Sequence, residues 1–323
     1  MNHHFFKRSG IAVFLAFAAP LFALHVVATI PVGTGVNTIA VNSKTNRIYV
    51  ANSVAGSVAV IDGFTNRLIA SIPVGAVPQG IAVNSITNRI YVLNTSDQSM
   101  SVIDGNTNSV TTTVPEIPGT IIAVNSLTNR MYVADQANDQ VHVVSGNNNS
   151  IIADLDVQTP GGLVVSSSTN LVYGMSFCAC NVFVIDGVSN QFLNPILVPG
   201  SPTTFGGIAL DEKSNFLYVP TVPTGGQAEI AVLSTLDNSY LGSIPGVGVV
   251  NGLAALPGVG QVVTTGGMDP SHRTIVLSDA NKLKVLRSLR VGRGPVGTAY
   301  DSANQFTYVA NSADGTVVVV SKN

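Results

Sequence analysis

Six tyrosines divide this chain at near-equal intervals. Tyr49, Tyr91, Tyr132, Tyr173, Tyr218 and Tyr308 are separated by 42, 41, 41, 45 and 90 residues. Each follows a short polar turn and sits inside an apolar run. The gap of 90 holds one degenerate unit, in which Val262 takes the tyrosine column. A fixed period of this kind means that one small unit is stacked many times, here seven times at about 43 residues each.

The first unit shows what is being stacked. Apolar, alternating segments fall at Thr38–Asn42, Arg47–Asn52, Ser57–Asp62 and Arg67–Pro73. The connections between them are short and rich in Asn, Gly, Ser and Thr, residues that tolerate left-handed backbone or bond to their own main chain. Four short strands every 43 residues or so make one blade of a propeller. The sequence therefore predicts an all-β, seven-bladed β-propeller with four antiparallel strands per blade.

The phase of the repeat predicts how the ring closes. HVVATIPVG near the N-terminus matches LIASIPVG, the fourth strand of the first unit, while the C-terminal GTVVVVSKN matches the third strand, GSVAVIDG. The last blade thus lacks an outer strand and the N-terminus carries a spare one. Pairing them removes an exposed edge. Two columns suit a wedge: small residues (Ala40, Ala82, Ala123, Val164, Ala209, Ala254, Ala299) lie next to larger ones (Ile39, Ile81, Ile122, Leu163, Ile208, Leu253, Thr298). Neighbouring strand residues face opposite ways, so each blade offers a bulky face to a small one. The tyrosines are expected between blades, and Asp62, Asp104 and Asp186 of the IDG turns are expected to be structural.

The repeats TNRIYVAN (45–52), TNRIYVLN (87–94), TNRMYVAD (128–135) and FTYVANSADGTVVVV (306–320), with the flanking GIAVN and VIDG elements, resemble the YVTN-type β-propeller repeat. The resemblance covers residues 25–323. It is strongest in units one to three and seven; units five and six carry the longer loops TVPTGGQAE and GGMDPSHRT. It implies a protein of a bacterial or archaeal envelope or surface. Some related seven-bladed propellers are lactonases or lyases, but a shared fold does not transfer an activity.

Residues outside the repeat speak to location. Met1–Gly10 carries Lys7 and Arg8, and Ile11–Leu24 is almost wholly apolar. An apolar run of 14 residues is short of the roughly 20 that a spanning helix needs. Residues 1–23 read as a secretory signal peptide cleaved after Ala23, which leaves 24–323 as a single propeller domain. The expected location is periplasmic, cell-surface or secreted, with membrane contact only through this segment if it stays attached.

Composition argues against a nucleic-acid partner. Charged residues are 10 % of the chain and the formal net charge is −2. A nucleic-acid binder needs a basic face or a groove with stacking aromatics, and aromatics are only 6 %.

The loops between blades and between second and third strands share one face, and variation concentrates there. Its inner rim is expected to be lined by Asn37, Gln79, Thr120, Gly161, Gly206, Asn251 and Val296. That ring holds no carboxylate or imidazole, whereas metal-dependent hydrolases need several converging on one ion. No metal and no cofactor is expected. The leading expectation is a non-catalytic scaffold binding a protein or glycan of the envelope or exterior, with Asn37, Gln79, Thr120, Asn251, Arg293, Asp269 and His272 as binding residues. The alternative is a lactonase- or lyase-like enzyme using Asp269, His272 and Arg293 for acid–base and anion-binding work. A surface-layer structural component is a third reading.

Asp97, Asp135, Asp139, Glu229 and Asp314 occupy comparable loops and read as solvated charges, and His142 as a strand histidine. The only cysteines, Cys178 and Cys180, share the hairpin loop of unit four. A local disulfide, free thiols and a metal or redox role all stay open, since C-x-C is an awkward disulfide geometry.

Overall fold

A computed structural model describes residues 23–202, 207–266 and 271–322. The signal segment expected at residues 1–23 falls, but for its last residue, outside the described residues, as do Gly206 and Asp269. The described chain is all β apart from a single turn of 3-10 helix at Thr95–Asp97. Seven antiparallel sheets stand in a ring. Every innermost strand touches the innermost strands of both neighbouring blades.

Blade one consists of Val36–Asn42, Arg47–Asn52, Ser57–Asp62 and Arg67–Pro73. Three of these match the sequence expectation. The first starts two residues early because a bulge between Val36 and Ile39 lets the chain keep pairing with Asn52. The turns form as their composition requires. Asn46, Asn66, Asn88, Asn108, Asn129, Asn149, Asn170 and Asn190 all have positive φ, the left-handed region in which Asn is enriched among non-glycine residues. The IDG aspartates hold these turns shut: Asp62 Oδ1 accepts from the backbone of Phe64 and Thr65, each at 2.9 Å.

The ring closes as the phase of the repeat demands. His25–Pro31 lies antiparallel to Thr316–Ser321, with His25 opposite Ser321 and Pro31 opposite Thr316. It carries a bulge, between Val26 and Ala28, at the level where the outer strand of blade one also shifts register. Near the axis the blades approach so closely that side chains are excluded at some positions. A Cβ on Gly252 would lie 2.6 Å from the carbonyl oxygen of Val296, and one on Gly297 would lie 2.8 Å from that of Asn37.

The core is seven separate clusters, each between two blades. Tyr49 of blade one packs with Ile81 and Ile90 of blade two, and Tyr91 packs with Ile122 and Met131 of blade three. Tyr132, Tyr173, Tyr218 and Tyr308 repeat this against Leu163, Ile208, Leu253 and Ile39. All six tyrosines are fully buried.

Two blades depart from the repeat. The outer strand of blade four is broken into Gln191–Phe192 and Ile196–Leu197, and the inner strand of blade five into Ser201–Pro202 and Ala209–Asp211. In blade six the register corrects the sequence expectation. Ala254 pairs with Val263, as Ala40 pairs with Tyr49. Val263, not Val262, therefore stands in the tyrosine column. The assignment from sequence slipped by one because the two valines are adjacent and alike.

Candidate functional site

The inner strands converge on an axial cavity of about 240 Å³, to which every blade contributes. Its polar lining is Thr38, Thr120, Asn251 and Thr298; the rest is Ile, Leu, Val and Gly. Among the described residues, no charged side chain lines it. Of the rim residues expected from sequence, Thr120, Asn251 and Val296 lie on this cavity. Asn37 and Gln79 are half-buried on their inner strands, one residue before Thr38 and Gly80, which line the cavity instead. The carbonyl of Gln79 accepts the Thr38 hydroxyl from the adjacent blade. That carbonyl is engaged in holding two blades together.

The loop-face charges are also engaged. Arg293, an anion-binding candidate, gives its guanidinium Nε to Asp314 Oδ1 at 2.6 Å, and its backbone N–H donates to Asp314 Oδ2 at 2.8 Å. Those two bonds, the backbone one first, hold the Asp314 carboxyl below the usual aspartate range. Asp97 Oδ2 accepts from the backbone of Ala76 at 2.6 Å, and Asp139 Oδ1 from that of Thr159 at 2.7 Å. Glu229 takes the hydroxyl of Ser243 at 2.6 Å. Asp97, Asp139 and Asp314 are exposed, as expected of solvated charges, and each also fastens one connection to the next. Glu229 bonds across two strands of blade five, and Asp135, which is buried, departs from the expectation. A loop backbone at a blade junction has orphan N–H groups, and a carboxylate is the strongest acceptor within reach.

His272 is half-buried in the second connection of blade six. Its carbonyl accepts the Gly294 N–H at 3.1 Å, so its backbone lies beside the Arg293 loop. Its Nδ1 is buried without a hydrogen-bond partner among the described residues. The fold thus brings His272 and Arg293 to one junction, between blades six and seven, with the guanidinium turned to Asp314. Asp269 lies outside the described residues.

Sequence reasoning missed one cluster. His142, in the third strand of blade three, is buried between two carboxylates: Nδ1 meets Asp154 Oδ1 at 2.6 Å, and Nε2 meets Asp135 Oδ2 at 3.4 Å. Asp135 is itself buried and accepts Asn138 Nδ2 at 2.6 Å. The available signal was cross-strand register, which sets His142 opposite Asp154. Both ring nitrogens face carboxylates, an arrangement that fixes the imidazole and presents no nucleophile. Among the described residues, no three His, Cys, Asp or Glu side chains gather to hold a metal ion.

Cys178 and Cys180 are both free thiols. Cys180 occupies the left-handed position that closes the hairpin, and its sulfur lies 3.4 Å from the Ser201 hydroxyl. Cys178 is exposed.

No family model and no curated protein matches the chain. Its fold is similar to a chain of the Kuenenia stuttgartiensis hydrazine synthase structure, with a TM-score of 0.78, 14 % identity, and coverage of 89 % of this chain and 95 % of that one. Similarity at that identity speaks to shape, and 1554 solved chains share it to a significant degree, so it selects no activity. The chain is a seven-bladed β-propeller.

Proposed function

We propose that this propeller, of the YVTN-repeat kind, is an exported, non-catalytic scaffold that binds a protein or glycan partner through the variable loops of one face. The observation that carries the reading is how its loop charges are used. Asp97, Asp139, Asp314 and Arg293 are joined to neighbouring connections, and among the described residues the axial cavity has an uncharged lining. Acid–base chemistry needs a titratable group within hydrogen-bond reach of the substrate. A rigid ring with pinned loops suits recognition, because little ordering entropy is lost on binding. Apolar side chains stand exposed around blades four to six: Leu197, Val222 and Val249. Blades four and five, whose strands are broken, supply two of them. Export through residues 1–23 puts this face outside the cytoplasm.

The test is partner capture from an envelope fraction, using the protein and a variant in which loop 222–228 is replaced by the short connection of blade one. The variant should fold and lose the partner; unchanged capture overturns the reading. Hydrolysis of a lactone panel that disappears in His272→Ala would put the enzyme reading in its place.

A further inference from the structure

The junction between blades six and seven is unlike the other six. Elsewhere a tyrosine from one blade meets a large aliphatic residue of the next. Here the tyrosine column holds Val263 and the aliphatic column holds Thr298, so both partners are small. The protein does not collapse onto the missing volume. A cavity of about 330 Å³ remains, lined on the blade-six side by Leu256, Val263 and Leu277 and on the blade-seven side by Tyr300, Thr307 and Lys322. That volume lies in the range of small-molecule sites, roughly 300–1,000 Å³.

Its position follows from the ring closure. Lys322 follows the strand Thr316–Ser321, and Leu24, which precedes His25, also lines the space. In blade four the equivalent place belongs to Gly187, where an added Cβ would lie 2.8 Å from the Tyr132 hydroxyl. Blade seven puts a lysine there, beside the junction that lacks its tyrosine. Lys322 Nζ donates to Gln261 Oε1 at 2.6 Å, and burial holds its ammonium below the ordinary lysine range. Among the described residues it is the only charged one on the lining, and the Asp279 carboxylate acts on it from nearby, opposing the effect of burial.

We propose that this cavity is a binding site for a small aromatic acid: a single ring that packs on Val263, Leu277 and Tyr300 where six other junctions hold the chain's own phenol, with its carboxylate on Lys322. The aliphatic wall formed by Leu256, Val263 and Leu277 offers an aromatic ring a packing surface, and Gln305, Thr307 and Lys322 leave the rest of the lining polar enough for its carboxylate. A partly desolvated ammonium is the natural partner for an anion there. The inference is independent of the loop-face reading, since it concerns a different part of the ring.

The probes are 4-hydroxybenzoate and its uncharged relative 4-methylphenol, titrated calorimetrically into the purified protein. The expected result is one saturable site for the acid. Val263→Tyr should fill the space, raise the melting temperature and weaken the acid by at least about tenfold. Lys322→Met should weaken the acid to a similar degree and leave 4-methylphenol unchanged. Should Val263→Tyr fail to fold, Leu277→Phe narrows the same space and is read in the same way. Undiminished binding in the filled variant, or no saturable binding of either probe with Kd below about 1 mM, overturns the proposal. Equal affinity for both probes, unaffected by Lys322→Met, overturns its anionic half.

Discussion

The side-chain amide of Asn42, at the end of the inner strand of blade one, donates to the side-chain oxygen of Asn88, in the first turn of blade two, at 2.7 Å. The same bond joins Asn84 to Asn129 at 2.8 Å and Asn125 to Asn170 at 2.7 Å. Between blades five and six Asp211 does the equivalent work, accepting the Gly258 N–H at 2.8 Å. The turns that repeat most faithfully therefore form a polar belt linking blades.

Breaking one link of that belt should cost stability. Asn42→Ala leaves the half-buried Asn88 acceptor without this donor, and the expected loss is about 0.5–1.5 kcal/mol. Asn88 has φ of 51°, so Asn88→Gly removes the side chain without imposing backbone strain. Urea denaturation of both single variants and the double variant should show a non-additive cycle; additive losses would mean that the two side chains do not cooperate.

The tyrosine rings, not their hydroxyls, should carry the junction energy. The Tyr173 hydroxyl is buried without a hydrogen-bond partner among the described residues. Tyr173→Phe should change unfolding free energy by less than about 1 kcal/mol, whereas Tyr173→Ala should cost about 3–5 kcal/mol through the cavity it opens.

The same burial predicts an alkaline limit. Burial pushes the Tyr49 phenol up to about 12 and raises those of Tyr91, Tyr132 and Tyr173 as well. In the unfolded chain a tyrosine ionises near pH 10, at about its ordinary value. Above that pH the unfolded state loses protons that the folded state keeps. Stability should be full below about pH 10 and fall as pH rises toward the folded values. Urea melts across this window should show the decline, with a shallower slope in Tyr49→Phe.

Removing the closing strand should open the ring. Without residues 24–31, the edge strand Thr316–Ser321 is unpaired along its length, and this segment reads TVVVVS. A flat, apolar edge of that kind recruits other chains. The expected outcome is a marked drop in melting temperature with concentration-dependent association, followed by light scattering. A monomer of unchanged stability would show that the spare strand is dispensable.

Much of this was legible in the sequence because a repeat averages over local noise. Tyr49, Tyr91 and Tyr132 fix the period, the Asn residues fix the turns, and the phase of HVVATIPVG fixes the closure. Each reports a local conformational demand that every blade repeats. Function is not averaged in this way. A site needs its residues once, so Arg293 and Asp314 carry no periodic signal, and their ion pair depends on two loops meeting at a blade junction. Asp154 looks like an ordinary outward strand residue until register sets it opposite His142. Val263 looks like any strand valine, and only its pairing with Ala254 reveals that a tyrosine is missing there. The sequence by itself determined the seven units, their strands and their ring, because hydrophobic period and turn chemistry act over a few residues. Only the tertiary structure decided which charges are spent and where space is left, because both depend on contacts between segments whose juxtaposition local sequence does not encode.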